Sequence, residues 1–194
     1  MNLANKLTLT RVFMVPVFIG FLILNNTFGY ICSLLIFILA AITDWYDGKI
    51  ARAKNMVSTL GKFADPLADK MLVSAAFISF VGIPVLHIPA WIVVIIICRD
   101  FVVNGLRLVA GSAGVVIHAS GGGKIKTVLQ MGTIIVILLL LCFRGYMECM
   151  PDWLKLTIEW LPLSMMLIVA GITTITGIEY VLKHKGVFNE KNNC

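Results

Sequence analysis

Four aspartates crowd one short stretch of the chain, and their type and spacing could bind metal ions. The stretch DWYDGKIARAKNMVSTLGKFADPLAD, residues 44–69, holds four of the ten acidic residues in the sequence. On helices, Asp44 and Asp47 would share one face, and so would Asp65 and Asp69. A short link would make the two helices antiparallel neighbours, so that the four carboxylates converge and repel one another. One or two divalent cations such as Mg²⁺ or Mn²⁺ would relieve this repulsion, because they prefer carboxylate oxygens.

The elements that must position these aspartates are helices in a very apolar chain. Hydrophobic residues make up 59% of the 194 residues and charged residues 13%, about half the charged share of a soluble domain. The continuous apolar runs predict an all-α, polytopic integral membrane bundle. We expect one domain over residues 1–186, a short flexible tail over 187–194, and six transmembrane helices near residues 9–26, 29–51, 64–83, 88–111, 124–144 and 153–183. The last run is long enough to break in two near Gly171 or Gly177.

The positive charges predict how this bundle sits in the membrane. They flank the first and fifth runs, the link between the second and third, and the tail, whereas the opposite loops offer only Arg144 and Lys155. The preference of lysine and arginine for cytoplasmic loops predicts cytoplasmic termini and a cytoplasmic 43–70 segment in a multi-pass protein of the cell membrane. The net charge of +6 suits anionic membrane lipids or anionic substrates. Nucleic acid is not an expected partner, because the cations flank apolar runs rather than forming a basic reading domain.

The aspartates belong to a longer pattern, Asp44-x₂-Asp47-Gly48-x₂-Ala51-Arg52-x₈-Gly61-x₃-Asp65-x₃-Asp69. This pattern resembles the complete signature of the CDP-alcohol phosphotransferase family, whose members are built on six spanning helices and are often homodimers. The family displaces CMP from a CDP-linked lipid by attack of an acceptor hydroxyl on the β-phosphorus. The resemblance implies that Asp44, Asp47 and Asp65 hold two divalent cations, Mg²⁺ or Mn²⁺. It makes Asp69 the general base and leaves open whether Asp69 is also a metal ligand.

The same resemblance assigns residues to the CDP-linked lipid, CDP-diacylglycerol. Gly48, Ala51 and Arg52 would border the cytidine diphosphate, and Gly61 would leave room beside it. The amino-terminal segment NKLTLTRVFMVP is similar to the start of a bacterial branch of the family, and it adds Asn5 and Thr8 to the lipid-binding set. For Gly48, close packing of two spanning helices is an equally good explanation.

The acceptor site is predicted in two other segments, CRDFVVNGLR and GKIKTVLQ, which resemble the branch that uses sn-glycerol 3-phosphate. Arg99 and Arg107 are eight residues apart and fall roughly on one helical face, while Lys124 and Lys126 open the fifth run. Together these cations could bind a phosphomonoester. A cytoplasmic charge flank is the alternative explanation for the lysines. Asp100 stands where many members have glutamate, so its partner distances could differ.

The resemblance implies transfer of a phosphatidyl group from CDP-diacylglycerol to sn-glycerol 3-phosphate, giving phosphatidylglycerophosphate and CMP. The same chemistry with inositol phosphate, phosphatidylglycerol or serine as acceptor is the first alternative. A divalent-cation transporter is an alternative of another class, and it predicts acids near mid-membrane in two related halves. The acids here instead cluster at one predicted edge of the membrane.

Overall fold

A computed structural model describes the backbone of residues 3–54, 59–112, 121–145 and 151–183. It describes side chains over residues 10–43, 70–106, 126–145 and 155–183, together with residue 151. Regular structure within these ranges is helical: α1 (Leu3–Ile23), α2 (Thr27–Lys54), α3 (Thr59–Val81), a 3₁₀ turn (Pro84–Leu86), α4 (Ala90–Ser112), α5 (Gly121–Cys142) and α6 (Asp152–Lys183). The predicted all-α fold is confirmed, with a helix close to each of the six predicted positions. The predicted tail, 187–194, lies outside the described residues.

The prediction that the last helix breaks was wrong. Helix α6 runs without interruption for 32 residues, through Pro162, Gly171 and Gly177. The hydroxyls of Thr174 and Thr176 donate to the carbonyls of residues 170 and 172, at 2.7 and 2.8 Å, which satisfies these hydroxyls within the helix. Packing of α4 and α5 along α6 then outweighs the roughly 1 kcal/mol that a glycine costs in a helix.

A tight turn makes α1 and α2 antiparallel neighbours. Asn25 adopts the left-handed conformation, with φ of 53°. Asn26 caps α2 by accepting a 2.7 Å hydrogen bond from the Gly29 backbone N–H. A side chain at position 29 would collide with the Phe21 carbonyl oxygen, so glycine is needed where the two helices approach. Residues 84–86 and His87, with φ of 50°, make the corresponding connection from α3 to α4.

Contacts between the helices surround one apolar core. Helix α1 lies against α2 and α3, α2 lies against α5, and α6 lies against α4 and α5. Phenylalanines fill the centre, and the rings of Phe18 and Phe37 meet at 6.2 Å between centroids. Phe77 and Phe80 are fully buried beside them. This core aligns the helices whose ends carry the candidate site.

The outer surfaces of the helices are also apolar. Large side chains such as Phe13, Val128 and Ile175 are 68 to 72% exposed, which is unusual over so much of a soluble monomer. Within the described residues, Lys155–Lys183 is the one segment long and apolar enough to cross a bilayer. Four other segments are apolar but shorter: Thr10–Ile23, Thr27–Thr43, Lys70–Val81 and Lys126–Cys142.

Candidate active site

The aspartate segment falls on two helices, as predicted. Asp44 and Asp47 lie in the last turns of α2, and Asp65 and Asp69 lie in the first turns of α3. Their spacings of three and four residues therefore put each pair on one helical face. The side chains of these aspartates are outside the described part of the chain. Their convergence, and the side-by-side placement of α2 and α3 around them, stay predictions.

The residues predicted to bind the CDP-linked lipid also occupy these helices. Gly48, Ala51 and Arg52 follow Asp47 in α2, and Gly61 precedes Asp65 in α3. Asn5 and Thr8 lie in the first two turns of α1. Because α1 packs against both α2 and α3, it can bring its amino-terminal turns to the same end of the bundle. The side chains of all these positions fall outside the described set, so their contacts remain predictions.

The described part of the site is a buried polar group that we call the Asp100 cluster: Arg99, Asp100, Lys126, Gln130 and Thr176. Lys126 Nζ donates to Asp100 Oδ1, and Gln130 Nε2 donates to Asp100 Oδ2 at 3.1 Å. Arg99 Nη1 lies 3.2 Å from Asp100 Oδ1, and Arg99 Nη2 donates to Thr176 Oγ1 at 3.0 Å. The cluster thereby ties α4 to both α5 and α6.

Burial explains why these side chains are bound to one another. Asp100 is 5% exposed, Lys126 is 7% exposed and Gln130 is fully buried. A buried charge is costly unless it is paired and hydrogen-bonded. Asp100 is the ion-pair partner of both Arg99 and Lys126. Gln130 Oε1 is buried and has no hydrogen-bond partner among the described residues. One hydrogen-bond acceptor, the amide oxygen of Gln130, is therefore unused among the described residues next to the Asp100 carboxylate.

Electrostatics connect this cluster to the aspartate segment. Lys70 directly follows Asp69 in α3, and it lies within electrostatic range of both Asp100 and Lys126. The middle of α3, around Lys70, is thus near the Asp100 cluster. Arg99 and Lys126 each carry a positive charge and Asp100 carries a negative one, so these three side chains have one net positive charge. Lys70 adds a second. This charge matches that of a phosphomonoester dianion.

Gly177 in α6 makes room for Arg99. A Cβ at this position would come within 2.7 Å of both Cγ and Nε of Arg99. The arginine side chain therefore passes over the glycine to reach Thr176. The small residue at 177, which the sequence suggested as a break in the helix, instead allows a cation to cross between helices.

The structure brings together two of the four residues predicted to bind the acceptor phosphate, Arg99 and Lys126. Arg107 lies towards the end of α4 and Lys124 near the start of α5, with side chains outside the described part. Sequence reasoning missed Gln130 and Thr176. Gln130 was detectable, because it follows Lys126 by one helical turn and precedes a long apolar run, where a polar residue is a functional candidate.

Among the described side chains, no three histidines, cysteines, aspartates or glutamates lie together in a way that could hold a metal ion. The side chains of the four aspartates are not among them. The predicted metal site therefore depends on the chemistry of the donor set. Four carboxylates, in two helical pairs, are the hard oxygen ligands that Mg²⁺ and Mn²⁺ prefer.

Comparison with known families decides to which one the chain belongs. The family model described as CDP-alcohol phosphatidyltransferase matches residues 1–176. The chain belongs to this family. The match includes α1 to α5 and most of α6, and it contains every member of the Asp100 cluster as well as the aspartate segment.

Individual relatives narrow the comparison within the family. The chain is 42% identical to a CDP-diacylglycerol–glycerol-3-phosphate 3-phosphatidyltransferase of Bacillus subtilis over 150 residues, covering 71% of this chain and 77% of that protein. It is 36% identical to the protein of the same name in Rickettsia typhi over 188 residues, covering 96 and 99%. A probable phosphatidylglycerophosphate synthase of Mycobacterium tuberculosis is 36% identical over 187 residues, covering 94 and 81%.

Proposed function

We propose that this protein transfers the phosphatidyl group of CDP-diacylglycerol to sn-glycerol 3-phosphate, releasing CMP and forming phosphatidylglycerophosphate. The structural observation that carries the proposal is the position of Lys70. Lys70 directly follows Asp69 in α3, and its positive charge acts on both Asp100 and Lys126, which supports nearness of this part of α3 to the buried cations. A transferase of this kind needs both features at one end of the bundle, since the acceptor hydroxyl must reach the diphosphate. The printed names of the relatives agree with this reaction.

The membrane placement is part of the proposal. We infer a polytopic bundle in the cell membrane, with both termini and the aspartate segment on the cytoplasmic side. Exposed apolar side chains along the outer helix surfaces support burial in lipid. The lysine and arginine flanks support the orientation. A homodimer, implied by family resemblance, can be checked by mass photometry of the detergent-solubilised protein.

We propose that Asp44, Asp47, Asp65 and Asp69 hold two divalent cations, Mg²⁺ or Mn²⁺. When bound, such cations neutralise diphosphate charge and stabilise the developing charge on CMP. The site for the CDP-linked lipid is lined by Asn5, Thr8, Gly48, Ala51, Arg52 and Gly61. Asp69 accepts the proton of the acceptor hydroxyl while the oxygen of that hydroxyl forms a bond to the β-phosphorus. The bond between that phosphorus and CMP breaks, and CMP leaves with the bonding electrons.

The Asp100 cluster supports the choice of acceptor. Arg99 and Lys126, joined by Arg107 and Lys124, bind the phosphate of glycerol 3-phosphate. Asp100 holds Arg99 and Lys126 in place through hydrogen bonds across α4 and α5. Gln130 Oε1, which is buried beside them, is available to accept a hydrogen bond from a hydroxyl of the acceptor. An acceptor without a phosphomonoester, such as serine, would leave the excess positive charge of this cluster without a dianionic partner.

The test is CMP release by the purified protein with CDP-diacylglycerol and Mg²⁺ or Mn²⁺. Glycerol 3-phosphate, inositol phosphate, serine and phosphatidylglycerol are offered separately. We expect release with glycerol 3-phosphate alone, and loss of release in Asp69→Asn, which keeps the size of the side chain. Release with a different acceptor would contradict the assignment of the cation pocket. A folded, metal-loaded protein that releases CMP with none of them would contradict the transferase and favour a cation transporter.

A further inference from the structure

A cavity with a partly polar lining lies at the end of the bundle away from the Asp100 cluster. Its volume is about 510 Å³, and it is lined by the turn between α1 and α2, the 3₁₀ turn, the end of α5 and the start of α6. Lys155 and Glu159 on α6 line this cavity, whereas Thr176 on the same helix belongs to the Asp100 cluster. Lys155 and Thr176 are 21 residues apart, or about 32 Å along a helix. The cavity is therefore separate from the candidate active site.

The polar wall of the cavity is held by contacts between helices. Tyr30 is 3% exposed, and its hydroxyl donates to Asn25 Oδ1. Arg144, two residues beyond the end of α5, lies close enough to the same hydroxyl to act on it electrostatically. Asn25, Tyr30 and Arg144 together make one wall of the cavity polar.

The charges of the cavity favour an anion. Arg144 and Lys155 are the cations among its described lining residues, and Glu159 is the acid, which leaves one net positive charge. A phosphodiester carries one negative charge and presents oxygens that arginine can bind through two parallel hydrogen bonds. The net charge of these described residues has the sign that a phosphodiester matches.

Apolar surroundings distinguish a lipid from a free anion. Leu86, Leu141 and Pro162 line the cavity beside its polar wall. Exposed apolar side chains flank its polar residues in the sequence: Leu24 is 52% exposed, and Phe143 is 59% exposed. Acyl chains of a lipid can pack on these side chains next to the polar site. A water-soluble phosphate has no apolar part that would use this surface.

We propose that this cavity binds the phosphodiester headgroup of an anionic phospholipid, from the leaflet opposite to the aspartate-bearing end. The inference rests on the membrane placement proposed above but not on the transferase chemistry. Arg144 binds the phosphodiester oxygens, and Lys155 adds attraction. Glu159 limits the positive charge of the site.

Native mass spectrometry of the full chain in a neutral detergent tests the proposal. Dioleoyl phosphatidylglycerol, dioleoyl phosphatidylcholine and inorganic phosphate are the probes, and the readout is the fraction of protein that retains lipid. We expect the protein to retain phosphatidylglycerol in preference to phosphatidylcholine. Arg144→Gln removes charge-assisted hydrogen bonds and should weaken phosphatidylglycerol retention about tenfold or more. Glu159→Gln should strengthen retention, because it raises the net positive charge.

The controls separate this cavity from other lipid sites. Lys183→Gln removes a cation at the opposite end of α6 and should leave retention unchanged. Equal retention by the parent protein and Arg144→Gln would overturn the proposal, as would equal retention of the two lipids. Displacement of phosphatidylglycerol by stoichiometric inorganic phosphate would show a free-anion site instead. If Arg144→Gln fails to fold, the Glu159→Gln variant tests the proposal. Phosphatidylglycerol retention that does not increase in Glu159→Gln would refute the role of charge. Because retention does not require turnover, failure here is distinguishable from failure of the transferase reaction.

Discussion

Asp100 is the residue through which the proposed acceptor site can be tested most directly. Its carboxylate pairs with Arg99 and Lys126 and accepts a hydrogen bond from Gln130. Asp100→Asn keeps the size of the side chain but removes its charge. Lys126, which is 7% exposed, then loses its ion-pair partner. Removing one member of a buried ion pair costs about 3–5 kcal/mol in stability.

The same contacts determine the expected effect of Asp100→Asn on the KM for glycerol 3-phosphate. Without Asp100, Arg99 and Lys126 are no longer held together at the site for the acceptor phosphate. Loss of one hydrogen bond to a charged group is worth about 1.5–3 kcal/mol, which corresponds to roughly 10- to 150-fold in KM for glycerol 3-phosphate. The KM for CDP-diacylglycerol should change little, since the lipid is bound by residues of α1 to α3 in the proposed site.

The assay is CMP release with each substrate varied in turn, together with denaturant unfolding in detergent. Asp100→Glu is the matched variant, because it restores the charge on a side chain one methylene longer. We expect it to recover most of the stability and most of the affinity for glycerol 3-phosphate. If Asp100→Asn lowers stability but leaves that KM unchanged, Asp100 only stabilises the helices. That result would refute its assignment as a positioning residue in the acceptor site.

Two further predictions concern the room beside Arg99 and the divalent cations. Gly177→Ala places a methyl group within 2.7 Å of Arg99 and should raise the KM for glycerol 3-phosphate. Gly171→Ala, on the same helix with open space around it, should leave that KM unchanged and stabilise the helix by about 1 kcal/mol. Equal effects of the two substitutions would contradict the explanation of Gly177. Removal of divalent cations with a chelator should abolish CMP release and lower the thermal stability, and Mg²⁺ or Mn²⁺ should restore both. Persistence of full activity in the metal-free protein would contradict the proposed role of the four aspartates.

Helix number and approximate bounds could be predicted because they depend on local properties. Each apolar run is long enough to form a helix, and polar residues and turn formers such as Asn25 and Pro84 interrupt the runs. The wrong prediction, a break in α6, relied on the low helix propensity of Gly171 and Gly177. That propensity is a small energy, and packing of α6 against two neighbouring helices outweighs it.

The candidate site was predictable in part. Arg99 and Lys126 stood out in sequence because charged residues beside long apolar runs demand an explanation. Their common partner, Asp100, was noted for its shorter side chain and not for its contacts. Thr176 gave no signal, because a threonine in an apolar helix usually bonds back to its own backbone.

By itself, the sequence determined the family and predicted the chemistry, through aspartates at helical spacings in a chain of six apolar runs. Only the tertiary structure decided which side chains meet. Asp100 contacts residues 26 and 30 positions away, and Arg99 contacts a residue 77 positions away. Such contacts depend on how each helix is rotated and how it crosses its neighbours. Packing of the whole core sets those rotations and crossings, and no local pattern of residues encodes them.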